Sequence, residues 1–247
     1  MRTVDYELLY QLEENFWWFA AMREITDAVA GSELQKKNLR ILDAGCGSGF
    51  NLAHYAKRDS CDIYGMDISD DALEWVRKRG FWKVAQGSVT DIPYRSETFD
   101  IVFSLDVLQQ LRPDTSADAL REMHRVLKPG GLLFIRVAAF EWLRSSHDDD
   151  IRSMHRFSRD ELARKLRDAG YKVERISYAN SFLFPVVVIR RLLKRAGIGG
   201  GTDVKPLPRG LGWIDSIFRA ILASEAKWLR PGRTFPFGVS IIGCARK

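Results

Sequence analysis

Cysteine is scarce in this 247-residue sequence: Cys46, Cys61 and Cys244 stand far apart, with no metal-ligand spacing. So sparse a set excludes a disulfide framework and reads as a reduced, cytoplasmic protein. Long apolar runs are also missing. The longest, FLFPVVVI at 182–189, has eight residues, far short of the roughly 20 that a membrane span needs. The opening MRTVDYELLY lacks the basic-then-apolar layout of a secretory leader. A general excess of one charge is absent too. Residues 179–235 hold ten Lys/Arg against three acids, whereas the rest carries 28 basic and 29 acidic groups. The net +6 therefore belongs to one late segment, which argues against a nucleic-acid-binding protein.

What is present is alternation. Short apolar runs LRILDAG (39–45), DIYGMDI (62–68), WKVAQGS (82–88), FDIVFSL (99–105) and GLLFIRVAA (131–139) are rich in Ile, Val, Leu and Phe. They read as strands buried on both faces. Helical patterns lie between them, such as SDDALEWVRKRG (69–80), with Ser69 or Asp70 as N-cap and Gly80 as stop. The helix SRDELARKLRDAG (158–170) leads to a strand YKVERISY (171–178), and FGVSIIGCARK (237–247) supplies the last. The expected fold class is α/β, with a doubly wound, mostly parallel sheet. The expected organisation is one domain over 1–247, with an N-terminal helical lid (1–38), a core (39–178), a basic helical cap (179–235) and a final strand (236–247). In the cap, two helices flank the linker AGIGGGTDVKPLPRG (196–210), with Pro185 starting or kinking the first. The second carries an apolar stripe, Ile214, Ile217, Phe218, Ile221 and Leu222.

The chemistry centres on ILDAGCGSGFNL at 41–52. A strand that ends in Gly-x-Gly and turns into a helix offers bare backbone N–H groups and a positive helix end. Dinucleotide sites use G-x-G-x-x-G, but here Gly45, Gly47 and Gly49 form G-x-G-x-G and Phe50 holds the sixth position. Asp43 precedes the loop, where a carboxylate suits a cationic group better than a pyrophosphate. Asp67, 22 residues after Gly45, closes the second strand, where an acid can accept ribose hydroxyls.

In this motif order, LDAGCGSG, the strand-end Asp67, DIPYRSETFDIVFSLDVL and RVLKPGG resemble the class I S-adenosylmethionine-dependent methyltransferases, over residues 39–139. The resemblance implies a seven-stranded sheet with an antiparallel last strand, and S-adenosylmethionine as cofactor. It implies that Asp43, Gly45, Cys46, Gly47 and Gly49 line the methionine part, Asp67 and Ile68 hold the ribose, Ser88 and Val89 meet the adenine, and Leu105 forms the edge of strand four. Many members have Asp where Ser88 stands, so the adenine contact is weaker here. The flanks FWWF with Arg23, SSHDDDIRSMHRFSRDEL and FPFGVSIIGCARK also resemble a bacterial branch associated with saccharide, polyketide-like or lipid-linked small molecules.

Methyl displacement from a sulfonium needs alignment above all, and a hydroxyl acceptor gains from a base. Of four histidines, His54 and His124 lie in helices and read as packing or surface residues, while His147 and His155 flank the loop after strand five. Either of the latter can be a general base oriented by Asp148 or a brace of that loop; Arg156 beside His155 can orient substrate. The HDDD run invites a metal, but consecutive acids diverge, and no metal is expected. Trp17, Trp18 and Phe19 are either a helix packed on the sheet edge or a water-excluding lid, with Trp18 toward the cofactor and Trp17 toward the acceptor. Arg23 can pair with the methionine carboxylate. Gln109, Gln110, Tyr178 and Asn180 follow strands four and six and are acceptor-site candidates.

The resulting expectation is methylation of a small or medium-sized acceptor, a hydroxyl on a sugar or natural product, with carbon and nitrogen acceptors left open. A nicotinamide-dependent oxidoreductase is opposed by Phe50 and Asp43. A non-catalytic S-adenosylmethionine-binding or membrane-scaffold protein and an RNA methyltransferase are the other rivals. The segment 182–195, apolar then cationic, suits peripheral contact with anionic lipid, and the chain is expected to be a monomer or homodimer.

Overall fold

The computed structural model describes residues 10, 13, 16–58, 61–197 and 212–247. Most of the linker 196–210 and the first nine residues of the lid lie outside the described residues, as do the side chains of His147, Asp150 and Ile214. In chain order the elements are α1 (Trp17–Leu34), β1 (Leu39–Ala44), α2 (Phe50–Tyr55), β2 (Cys61–Asp67), α3 (Asp70–Lys78), β3 (Val84–Gln86) and β4 (Phe99–Leu105). Then come α4 (Ser116–Val126), β5 (Leu127–Ala138), α5 (Ser146–Asp150), α6 (Arg159–Asp168), β6 (Lys172–Ala179), α7 (Phe184–Arg195), α8 (Gly212–Leu229) and β7 (Ser240–Arg246).

The seven strands form one sheet in the order β3-β2-β1-β4-β5-β7-β6. All neighbours are parallel except β7, which runs antiparallel to both β5 and β6. The expected antiparallel last strand is thus present, inserted one place from the edge. Central strands are sealed on both faces: Ile41, Leu42, Ile101, Val102, Phe103, Leu133 and Phe134 are fully buried. Continuous Ile/Val/Leu/Phe runs fit such positions, and alternating ones do not. The chain leaves β1 and β4 in opposite directions, so a crevice opens at their carboxyl ends, where open α/β sheets take ligands.

Local signals act where they stand. Ser69 caps α3 by accepting from Ala72 N, and Ser158 caps α6 by accepting from Glu161 N. Acids fill both first turns, and Gly80 and Gly170 end the helices with φ of +87° and +91°. Strand β3 is shorter than the run 82–88: Gly87 lies against Pro93, a Ser88–Asp91 bridge turns the chain, and Trp82 stays exposed at the sheet edge.

Helix α1 packs on α8, with the Trp17 and Phe218 rings 5.2 Å apart and Arg219 reaching Glu24 at 3.0 Å. The stripe anticipated on α8 is rotated. Leu222, Glu225, Ala226 and Leu229 are buried, Phe218 and Ile221 are partly so, and Ile217 is exposed. The reason is polar: Glu225 turns inward to accept a 2.7 Å hydrogen bond from Phe182 N, at the turn between β6 and α7. Pro185 sits in the first turn of α7, where its missing N–H costs nothing.

Candidate active site

The loop after β1 is held by its own backbone. Gly45 N and Cys46 N both donate to Met66 O, at 2.9 and 2.8 Å, and Gly49 N donates to Cys46 O at 2.9 Å. Gly45 has φ +89°, and a Cβ there would run into Val107 Cγ2, so the loop from β1 lies directly against the loop from β4. Gly49 takes a left-handed conformation, φ +82°, as the N-cap of α2. The next residue is already helical, so Phe50 meets no backbone demand for glycine. Its ring lies under Arg23, whose guanidinium carbon is 4.2 Å from the centroid, and 6.2 Å from the ring of Phe19.

Two carboxylates flank the loop. Asp67, at the end of β2, accepts from Gly47 N at 2.9 Å and Ser69 N at 3.0 Å. Burial pushes its pKa up, and those two N–H groups oppose the shift. Asp43 is buried beneath the loop, and neither of its oxygens has a hydrogen-bond partner of proper geometry. Burial pushes its pKa up to about 7; the nearby Asn51 side chain opposes this, while Asp67 and Glu13 add to it. A buried, unpartnered carboxylate beside bare backbone needs a donor, and preferably a cation. The α-ammonium of a methionine moiety is such a group.

Helix α1 brings two more groups. Burial pulls the pKa of Arg23 down, and among the described residues its guanidinium makes no hydrogen bond. Its donors remain available to a carboxylate. Trp18 lies over Arg136, 5.2 Å from ring centroid to guanidinium carbon, at the end of β5. Upstream, Glu13 is buried and accepts from the Ser48 hydroxyl. Arg79 completes that clamp: its Nε donates to Ser48 O at 2.9 Å, its Nη2 is 3.3 Å from Glu13 Oε2, and its guanidinium stacks 3.9 Å from the Tyr10 ring. Sequence patterning does not reveal Glu13, Ser48 or Arg79, because these residues, 31 to 66 positions apart, meet only through the fold.

The remaining candidates follow the other strands. Ile68 is exposed just beyond β2, and Ser88 bonds Thr90 through hydroxyl and backbone at 2.7 and 3.2 Å, with Val89 and Leu105 buried nearby in sequence at the ends of β3 and β4. Gln109 is buried and acts as a brace. Its Oε1 accepts from Ala138 N at 2.6 Å, and its carbonyl accepts from Met154 N and His155 N. Gln110 is exposed and reaches Asp106 O at 3.4 Å. Tyr178 is stacked on Phe140 at 5.0 Å, and Asn180, at φ +55°, buries an Oδ1 with no partner.

For His155 the expected partnership with Asp148 is corrected. Asp148 takes a two-pronged bond from Arg156, 2.7 Å from Nε and 3.1 Å from Nη2, and Arg156 Nη1 also donates to Ala139 O at 2.9 Å. Burial works against the Asp148 charge, yet the Arg156 bonds hold its carboxyl below the usual range. Arg156 therefore spends its donors inside the protein, because the first turn of α5 points Asp148 inward. His155 pairs instead with Glu161, Nε2 to Oε1 2.8 Å, its ring edge-on to Phe157. His147 lies on α5, its side chain outside the described residues. Among the described residues no three His, Cys, Asp or Glu gather as a metal site.

Set beside known proteins, residues 42–135 match the family described as "Methyltransferase domain". Malonyl-[acyl-carrier protein] O-methyltransferase of Enterobacter lignolyticus (strain SCF1) is 34% identical over 119 residues, 47% of this chain and 46% of that protein. Squalene methyltransferase 1 of Botryococcus braunii is 30% identical over 127 residues, 49% of this chain and 32% of that protein. The chain thus spans less than half the length of these curated relatives. A solved S-adenosylmethionine-dependent methyltransferase of Thermotoga maritima shares the fold, with a TM-score of 0.59, 18% identity and coverage of 100% of both chains. Over residues 42–135 the chain is thus similar to methyltransferase domains, its fold is that of solved S-adenosylmethionine-dependent methyltransferases, and S-adenosylmethionine is the cofactor which that similarity implies.

Proposed function

We propose that the protein methylates a hydroxyl on a small or medium-sized acceptor, a sugar or natural product. The cofactor residues follow the resemblance of the loop and strand ends, with the buried Asp43 and the bared backbone as support. Asp43 takes the ammonium, Arg23 the carboxylate, the Gly45–Gly49 backbone the methionine chain, Asp67 and Ile68 the ribose, and Ser88 and Val89 the adenine. When bound, S-adenosylmethionine supplies an electrophilic methyl on a cationic sulfur. The chain's task is then to align the acceptor, exclude water and remove one proton. Trp18, between α1 and Arg136, screens the crevice from water and presents a ring face to positive charge.

The observation that carries the hydroxyl reading is the His155–Glu161 pair. Its backbone is tied to Gln109 O, so the imidazole is anchored to the loop that leaves β4. A carboxylate on one ring nitrogen leaves the other free to accept a hydroxyl proton and then stabilises the imidazolium, the arrangement a general base requires. His147 is the alternative base. Of the two relatives, the one named for squalene supports a small-molecule acceptor, and the one named for malonyl-[acyl-carrier protein] supports transfer to oxygen. A second reading, transfer to carbon of an apolar acceptor, is favoured by the stacked Phe140 and Tyr178 with Phe184 beside them. The test is a panel of hydroxyl and alkene acceptors with isotope-labelled methyl donor, product connectivity being read by NMR. A labelled methyl ether, lost in His155→Gln, supports the first reading; a labelled C-methyl product overturns it.

A further inference from the structure

Helix α7 leaves an apolar face uncovered. Phe182, Val186, Ile189, Leu192 and Leu193 are each 44–58% exposed. Three of them, 186, 189 and 193, recur at i, i+3 and i+7, one line along α7, and Phe182 lies in the turn just before it. The opposite side is anchored: Arg191 is buried, and Phe184 packs among Phe140, Trp142 and Phe237. The exposed face is therefore fixed in orientation by the fold rather than by chance rotation.

Chemistry around the line is one-sided. α7 contains no acid and carries Arg190, Arg191, Lys194 and Arg195 toward its C-terminal end. Arg190 and Lys194 flank the line, Lys194 Nζ donating to Ser146 Oγ at 2.8 Å, whereas Arg195 lies on the anchored side and donates to Trp142 O at 2.5 Å. Near the other end, Phe182 touches Phe235, which stacks on Trp228, and Arg233 lies 4.4 Å over that indole. Half-exposed tryptophans, Trp142 and Trp228, thus flank the aliphatic line. No helix among the described residues is long and apolar enough to cross a membrane. An aliphatic face with aromatic flanks and a cationic rim, on a helix too short to span, matches the boundary between lipid headgroups and acyl chains.

We propose that α7 docks the protein on anionic lipid, with Phe182, Val186, Ile189 and Leu193 entering the acyl boundary and the basic rim meeting the headgroups. The local excess of ten Lys/Arg over three acids in 179–235 gives the charge complementarity that a neutral partner or a second copy of the same basic face would lack. The inference stands apart from the methyl-transfer reading, since docking needs neither cofactor nor acceptor.

The experiment is co-sedimentation of the full chain with vesicles of phosphatidylcholine, alone or mixed with phosphatidylglycerol, across a range of salt. Binding to the mixed vesicles alone, weakening as salt rises, is expected. The double variant Ile189→Ser/Leu193→Ser, confined to exposed positions, should lose binding by tenfold or more, on the order of two buried aliphatic side chains. Its unchanged melting temperature separates that loss from unfolding. Equal sedimentation of wild type and variant, or binding to both vesicle types alike, overturns the proposal. So does size-exclusion behaviour as a dimer that the double variant abolishes, with no vesicle binding by either.

Discussion

Arg136 and Asp106 meet at a single oxygen: Nε at 2.9 Å and Nη2 at 2.5 Å both converge on Asp106 Oδ2, where β4 ends and β5 runs beside it. Asp106 holds φ +61°, which aspartate and asparagine tolerate and most residues do not, and its N–H donates to Arg136 O at 2.9 Å. The pair forms the floor on which Trp18 rests. Asp106→Ala leaves a buried guanidinium unpaired and strains the backbone, and it should cost about 2–4 kcal/mol. Asp106→Asn, which keeps the backbone but not the charge, should cost less. Chemical denaturation of both variants checks the order, and equal stability of Asp106→Ala and wild type contradicts it.

Asp43 makes the cofactor-free protein more stable in mild acid. Its pKa in the folded state is pushed up to about 7 by burial, whereas the unfolded chain ionises near 3.8. Between these values the folded state binds the extra proton. Stability therefore falls as pH rises through that window, by up to roughly 4 kcal/mol. Glu225, raised to about 7 by burial and opposed by the Phe182, Ser181 and Asn180 N–H groups, contributes with the same sign. Asp43→Asn should flatten part of the slope without touching the Glu225 part. Melting curves from pH 4 to 8 read the difference between variant and wild type; identical slopes would falsify the assignment.

Gly45→Ala should weaken cofactor-analogue binding by more than tenfold. The added methyl would overlap Val107 Cγ2, and φ +89° is strained for any L side chain. Val107→Ala in the same chain should restore part of the affinity, because it removes the overlap but not the strain. Titration of S-adenosylhomocysteine into both variants checks this. Full affinity in Gly45→Ala alone would show that the two loops are not in contact.

Glu225 ties α8 to the turn before α7, although it is fully buried and its Oε2 has no partner. Glu225→Ala leaves Phe182 N–H unsatisfied and should destabilise by about 1–3 kcal/mol. Hydrogen exchange should quicken in α7 and α8 while the β1, β4 and β5 amides keep their protection. Uniform quickening across the sheet would mean that the cap is not a separate unit.

Much of this was legible in the sequence. Strands buried on both faces read as continuous apolar runs, Ser69 announced its helix, and the loop Gly45–Gly49 with Asp43 and Asp67 pointed to a sulfonium nucleoside. What stayed hidden depends on how elements dock. Arg136 reaches Asp106 through the register of β4 and β5, and Glu225 faces inward because the turn at Phe182 presents an N–H. The inward face of α5 gives Asp148 to Arg156 rather than to His155. A polar residue's partner is set by tertiary neighbours, on which periodicity is silent.

The central claim is that the unpartnered Asp43 carboxylate, under a bared glycine loop, waits for the cationic end of S-adenosylmethionine. Calorimetric titration of S-adenosylhomocysteine and of NADH into wild type and Asp43→Asn tests it most directly. Tight binding of S-adenosylhomocysteine, at least tenfold weaker in Asp43→Asn, with no NADH heat, is the predicted result. Tight NADH binding with none of S-adenosylhomocysteine would contradict it.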